Sequence, residues 1–269
     1  MKLGLIGCGK MGGALLGGVI KAKLVKPEDI SVCDAVPAAT DGMKKQHAAL
    51  KVCASAVEVA SYSDVVILAV KPKDMQTLLE SLKPQASSLK PLFLSIAAGL
   101  TLSQLQSWLG GGARVIRVMP NTPAQIGIGY SAFAKGTGVT DSDGDTARQI
   151  FGAVGLVDEV DEKLIDAITG LSGSGPAYIF TVIEALADAG VLMGIPRATA
   201  MRAAAQTVAG AAQMVIQTSE HPAALRDNVT SPGGTTIAGL EQLEKHGLRN
   251  ALLQAVRAAT ERSKEMAKG

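Results

Sequence analysis

Lys2-Leu-Gly-Leu-Ile6-Gly7-Cys8-Gly9-Lys10-Met11-Gly12 is the stretch that decides the fold of this chain. A short apolar strand runs into a Gly-x-Gly-x-x-Gly turn, and the residues up to Ile20 continue as an apolar helix. A strand before and a helix after are the context that a dinucleotide-binding fingerprint requires. Gly7 permits the tight turn, Gly9 lets a pyrophosphate approach the backbone, and Gly12 lets helix and strand pack closely. Ile6, Cys8, Lys10 and Met11 complete the turn and are read with it as cofactor-binding residues. The same segment faintly resembles a signal peptide, but Lys10 interrupts its apolar run and the glycine spacing accounts for the rest.

Working outward, strand patterns at 2–6, 30–33, 51–53, 64–70, 92–96 and 114–118 alternate with helical patterns at 11–22, 37–47, 55–61, 73–82 and 101–109. Asp64-Val-Val-Ile-Leu-Ala-Val70 is a continuous apolar run, as expected of a strand buried on both faces of a parallel sheet. The alternation predicts a Rossmann-type, doubly wound α/β sheet, with 128–134 and 156–160 as further strands at its far edge. From about residue 161 only helical patterns remain, at 161–170, 175–194, 196–217, 222–228, 235–246 and 248–267. The expected division is therefore a dinucleotide-binding domain over 1–161 and an all-α domain over 162–269.

The helices at 175–194 and 196–217 are apolar or small-residue-rich around most of their circumference, and such helices need partners on several sides. A domain of this size offers few, so burial in a homodimer is expected; a self-contained bundle is the other reading. The helix from Ala177 to Ile195 is long enough to span a bilayer, but Glu184 and Asp188 lie four residues apart on one face, which argues for a buried soluble helix.

Net charge is +2 over 269 residues, aromatic content is 3%, and no block of like charge occurs. Nothing in this favours nucleic acid or an anionic membrane as partner. Cys8, Cys33 and Cys53, an odd count without regular spacing, fit reduced thiols in a cytoplasmic core. The three histidines, His47, His221 and His246, stand far apart, and no metal site is expected.

Ligands of an open α/β sheet lie beyond the carboxyl ends of its strands. Besides the glycine turn, three unusual loops leave those ends. Ala69-Val70-Lys71-Pro72 offers a cation for ribose or phosphate on a stiffened turn. Ser95-Ile96-Ala97-Ala98-Gly99 has side chains small enough for a flat nicotinamide ring to reach the backbone, and Met119-Pro-Asn-Thr-Pro123 is a rigid polar loop. In the helical half, Ser231-Pro-Gly233-Gly234-Thr235-Thr236 runs straight into a helix. The N–H groups at that mouth, around Gly233, Gly234 and Thr235, suit a small anion such as a carboxylate; a plain capped helix start is the other reading.

These loops, with Gly173-Ser-Gly-Pro-Ala-Tyr178, His221-Pro222 and Asp227-Asn-Val-Thr-Ser-Pro-Gly-Gly-Thr-Thr236, resemble the pyrroline-5-carboxylate reductases from residue 2 to about 265. The resemblance implies reduction of the cyclic imine 1-pyrroline-5-carboxylate to L-proline, the last step of proline biosynthesis, with NADP(H) or NAD(H). It implies a homodimer with interlocked helical domains, sometimes assembled into rings. It also implies that the Thr236 hydroxyl sits beside the ring nitrogen and that Asn228, Val229 and Ser231 line the pocket.

Asp34 departs from the family's habit. An acid at the end of the second strand, about twenty residues after the glycine turn, accepts from the ribose diol of NAD and repels the 2′-phosphate of NADP. Asp34 as a cap for the next helix is the competing reading, so both cofactors stay open. Two other functions fit the same outline. A related hydroxy-acid dehydrogenase would need a lysine facing the nicotinamide, and Lys163 is the only lysine between 161 and 244. A non-catalytic nucleotide-binding dimer would have no need of the second anion site.

Overall fold

Four strands with no exposed residue form the centre of the sheet: β1 (Leu3–Ile6), β2 (Ile30–Cys33), β4 (Val65–Leu68) and β5 (Leu92–Ser95) are buried along their whole length. A computed structural model of the chain describes residues 1–267. In chain order the remaining elements of the first half are α1 (Lys10–Lys21), α2 (Pro37–Gln46), β3 (Lys51–Val52), α3 (Ala56–Tyr62), α4 (Pro72–Ser88), α5 (Leu102–Leu109), β6 (Arg114–Pro120), β7 (Gly129–Lys135), α6 (Asp141–Gly152) and β8 (Gly155–Glu159). The helices that follow are α7 (Ile165–Ile168), α8 (Gly175–Leu192), α9 (Arg197–Thr218), α10 (Pro222–Asn228), α11 (Thr235–Lys245) and α12 (Leu248–Met266).

The eight strands lie in the order β3-β2-β1-β4-β5-β6-β7-β8. β1 to β6 are mutually parallel, β7 is antiparallel to β6, and β8 is parallel to β7. The two edge strands therefore extend a doubly wound sheet in the reverse direction. Alternation along each strand feeds two cores. Leu3, Leu5, Val32, Ile67 and Leu94 face α1 and α6, whereas Ile6, Val66, Leu68 and Phe93 face α3, α4 and α5. Each fully buried side chain of this size contributes about 1.5–3 kcal/mol, which is why these short strands hold their places. Gly4 lets α3 come close, since a Cβ there would lie 2.6 Å from Ser63 Oγ and from Val59 Cγ1.

The elements differ from expectation at three places. α4 continues past residue 82 through Pro84, because Leu79, Leu82 and Ala86 are buried on one face and Pro84 lies on the exposed one. α6 was not expected, yet a reciprocal cap between Thr140 and Asp143 starts it. The helix expected over 161–170 is a 3-10 turn (Glu162–Leu164), one turn of α-helix and a π-helical turn (Thr169–Gly173).

The chain divides into two compact units: Met1–Ser174 with the chain from Ala258 onward, and Gly175–Arg257. The sequence pattern places the division at 161/162; the packing places it later and returns the end of α12 to the sheet. A buried ion network explains why. Arg117, in the middle of β6, is 2% exposed, and its guanidinium meets Asp166 at 3.0 Å and Glu162 at 3.3 Å. Glu162 also accepts the N–H of Leu102 at 2.6 Å, and Ser263 of α12 donates to Asp166 at 2.8 Å. In the first turn of α5, Gln104 Nε2 donates to the carbonyl of Ala267 at 3.0 Å.

The second unit is built differently. Its buried apolar residues are Ala187, Ala200 and Ala204, where α8 and α9 pack closely. A Cβ at Gly190 would stand 3.1 Å from the Cβ of Ala200, so small residues set the helix spacing. Beside Ile183 and Val191, which pack partly against that contact, much of α8 is open: Phe180 is 64% exposed and Leu186 48%. The helical run Glu162–Leu192 is long and apolar enough to cross a membrane by length and composition, and only 6% of its most apolar stretch is buried. The burial expected for α8 is thus absent within one chain, although Asp188 pairs with Arg197 across the α8–α9 turn.

Candidate active site

The glycine turn after β1 has the geometry its spacing implies. Gly7 has φ +100°, and a Cβ there would lie 2.6 Å from the carbonyl oxygen of Ala69. Its N–H donates to Cys33 O at 2.9 Å, tying the turn to β2. A Cβ at Gly12 would collide with the carbonyl of Gly7, so only glycine lets α1 start this close to the strand. Gly9 is the reverse case: a Cβ there meets nothing within 4 Å. Gly9 is also the N-cap of α1 and brings no side-chain cap. The first-turn N–H groups, which have no intrahelical acceptor, therefore open onto unfilled space, as an anion cradle requires.

A cleft of about 580 Å³ runs along the carboxyl ends of β1, β2 and β4. It brings together seven of the predicted cofactor residues, Ile6, Gly7, Gly9, Asp34, Ala69, Val70 and Lys71. Cys8 and Lys10 line a neighbouring depression on the α1–α2 side of the turn. Met11 packs on the core, Gly12 lies inside α1, and Pro72 is the first residue of α4. Ile96, Ala97 and Ala98, beyond β5, do not line this cleft; Ala97 is buried and the other two are half-buried.

Asp34 does not cap the next helix. The N-cap of α2 is Val36, with no side-chain hydrogen bond. The carboxylate instead accepts the N–H of Cys8 at 2.6 Å and the N–H of Val36 at 2.8 Å. This locks the end of β2 onto the glycine turn and aims Asp34 into the cleft.

In the second unit, the segment after α10 folds back by the N–H groups of Val229 and Thr230, which donate to Arg226 O and Asp227 O at 3.2 and 3.0 Å. Gly233 has φ +65°, and a Cβ at Gly234 would collide with Ser231 Oγ. The N–H of Gly234 donates to Ser231 O at 3.1 Å, so this predicted anion donor instead closes the turn. Gly234 is the N-cap of α11 without a side-chain cap. The N–H groups of Thr235 and Thr236, in the first turn, are left without intrahelical acceptors. Asn228, Val229, Ser231, Gly233 and Thr235 are exposed, and Thr236 is half-buried. The loop is an uncapped helix mouth with a hydroxyl at its second position.

A family profile described as pyrroline-5-carboxylate reductase dimerisation matches residues 162–266, and one described as NADP oxidoreductase, coenzyme F420-dependent, matches 2–99. The pyrroline-5-carboxylate reductase of Arabidopsis thaliana is 48% identical over 98% of this chain and 95% of its own length.

This chain belongs to the pyrroline-5-carboxylate reductase family.

The solved pyrroline-5-carboxylate reductase of Coxiella burnetii superposes with a TM-score of 0.93 at 37% identity, covering 100% of this chain and 99% of that one. The pyrroline carboxylate reductase of Plasmodium falciparum, solved with NADP bound, gives 0.89 at 35% identity, covering 99% and 98%. Membership in the pyrroline-5-carboxylate reductases removes the hydroxy-acid dehydrogenase reading. The lysine that reading needed, Lys163, is exposed and pairs with Asp161 at 2.9 Å.

One wall of the cleft was missed in the sequence. Ala54, Ser55 and Ala56, after β3, form the wall of the cleft opposite the glycine turn. Their signal was Ser55-Ala-Val-Glu58, the Ser-x-x-Glu pattern of a helix start: Ser55 caps α3 by accepting the N–H of Glu58 at 3.2 Å, and Glu58 accepts the N–H of Ala54, one residue before the cap, at 3.0 Å. In the Met119–Pro123 loop singled out above, the amide of Asn121 donates to Ser172 Oγ at 3.1 Å and its oxygen accepts the N–H of Tyr130 at 2.9 Å. It joins the Met119–Pro123 loop to the π-helical turn. Burial pushes the thiols of Cys8 and Cys33 up to about 12, with the nearby Asp34 carboxylate adding to both.

Proposed function

We propose that this protein reduces 1-pyrroline-5-carboxylate to L-proline with NAD(P)H, the last step of proline biosynthesis. The observation that carries the proposal is the uncapped mouth of α11, Ser231 to Thr236, in a chain of this family that also holds an intact dinucleotide turn. The residues of the cleft fit a dinucleotide: Gly9 leaves the space a pyrophosphate needs, Lys10 and Met11 open α1, and Lys71 brings a cation. When bound, the nicotinamide supplies a hydride.

The remaining work falls to orientation and exclusion of water. A pyrroline nitrogen is readily protonated, and the protonated imine is already a good acceptor, so neither metal nor covalent catalysis is needed. The N–H groups of Thr235 and Thr236 hold the substrate carboxylate at the positive end of α11. The Thr236 hydroxyl accepts from the protonated ring nitrogen, or donates to the product amine. Asn228, Val229 and Ser231 shape the pocket around the ring.

The working form is a homodimer, and rings of dimers are compatible with it. The matched dimerisation profile and the apolar surface of α8 support this; a patch that large marks an interaction site. A second copy covers it better than lipid does, since Glu184 and Asp188 lie within it. The dimerising surface lies on the helical unit, within the matched region 162–266, and the dinucleotide cleft lies on the sheet unit. Buried, unpaired thiols suit the cytoplasm.

The test is cofactor oxidation with and without pyrroline-5-carboxylate, with proline measured as product. Oxidation that depends on the imine and yields equimolar proline supports the proposal. No proline with either cofactor at neutral pH defeats it.

A further inference from the structure

We infer that Asp34 makes NADH, rather than NADPH, the preferred cofactor of this enzyme. The inference rests on the reading of the cleft as a dinucleotide site. The Asp34 carboxylate is held from two sides, by the N–H of Cys8 at 2.6 Å and the N–H of Val36 at 2.8 Å. Each bond uses a different oxygen, which fixes the plane of the group. An ionised carboxylate has about four acceptor positions, so two remain. A ribose 2′,3′-diol brings two donors to match them. A 2′-phosphate brings charge and acceptors, and at neutral pH almost no donor.

The surroundings give a 2′-phosphate nothing in exchange. On the β2–β3 side the described lining residues are Asp34, Ala35, Val36, Ala54, Ser55 and Ala56, and none is basic. The cation of the cleft, Lys71, comes from the loop after β4, where Asp74 also lines the wall. Asp34 cannot turn away to make room, because rotation would strip the acceptors from Cys8 and Val36 N–H. Pro37, the first residue of α2, stiffens the chain just beyond. An acceptor fixed in this way reads a diol and rejects a phosphate.

Dissociation constants of NADH and NADPH, measured by titration calorimetry on the full-length protein without substrate, test this directly. Wild-type protein is expected to bind NADH at least tenfold more tightly. Asp34→Ser should move the ratio at least tenfold toward NADPH, most of it through tighter NADPH binding. Because Ser also removes the two backbone bonds, Asp34→Asn serves beside it: it keeps an acceptor and the shape while removing the charge, and should move the ratio the same way. Wild-type protein that binds NADPH as tightly as NADH, or a ratio unmoved in both variants, overturns the inference while leaving the dinucleotide cleft standing. Binding of neither cofactor by a folded wild-type protein overturns the cleft and the inference together.

Discussion

The sheet unit and the helical unit meet the same physical demand, removal of apolar surface from water, by opposite routes. The sheet buries Leu3, Leu5, Ile67, Phe93 and their neighbours on both faces within one chain. The helices bury little more than Ala187, Ala200 and Ala204, and leave Phe180 and Leu253 64% and 69% exposed. The difference teaches where each function depends on assembly. A cofactor cleft on a finished sheet needs no second chain. The proposed substrate loop between α10 and α11 sits on helices that leave much of their apolar surface uncovered within one chain.

The comparison breaks most visibly under Leu186→Glu. Leu186 lies on the open face of α8. A charge sealed there costs several kcal/mol, so the variant should sediment as monomer or aggregate and form no proline, while the sheet unit keeps its protected amides in hydrogen exchange. A stable, active dimer would mean that α8 is not the contact.

Arg117→Leu probes the sheet side. Removing one partner of a buried ion network costs about 3–5 kcal/mol, and the partial exposure of Glu162 and Asp166 puts the expected loss at the lower end. Denaturant titration should show it, together with faster amide exchange near Ser263 at the end of α12. A loss below about 1 kcal/mol, the range of an exposed pair, would show that apolar packing alone attaches that segment.

Thr236→Val sharpens the reading of the helical loop. A hydrogen bond to a charged partner is worth about 1.5–3 kcal/mol. We expect kcat/KM to fall about ten- to a hundredfold with the dissociation constants of the cofactors unchanged. Near wild-type turnover, with a lowered Tm, would reduce Thr236 to a helix-start residue.

The smallest effect concerns the cysteines of the sheet. The folded thiols of Cys8 and Cys33 lie at about 12 and that of Cys53 at about 11, against 9.0 for a free thiol. Below about pH 9 the thiols are protonated whether the chain is folded or not, so their contribution is fully present. As pH rises toward 12 the unfolded chain releases protons that the fold retains, and stability falls. A Cys8→Ala, Cys33→Ala, Cys53→Ala variant should show a shallower alkaline decline in Tm; an identical decline would assign it to other groups.

The sheet was legible because its signals are local. The central strands agree with the pattern to within a residue or two, and Gly7, Gly9 and Gly12 do what their spacing requires. Three kinds of feature were not legible. Pro84 reads as a helix end, yet burial of the residues beside it carries α4 onward. The acidic segment starting at Asp141 reads as a loop until its Thr140 cap is recognised. The burial of Arg117 leaves no local mark in the strand pattern at 114–118, because the partners that neutralise it stand 45 and 49 residues away. Asp34 lies between these cases: position and charge were plain, but excluding the helix-cap reading needed the direction of its two hydrogen bonds. In the helical unit the element positions were plain from the sequence, whereas burial was not, because the apolar residues of α8 find few partners within the same chain.

Sedimentation velocity of the wild-type protein at nanomolar concentration tests the central claim, that the helical half is completed only by a second copy. The account predicts a dimer or a multiple of it, persisting through dilution, with proline formation in the same samples. A folded monomer that turns over pyrroline-5-carboxylate would contradict it.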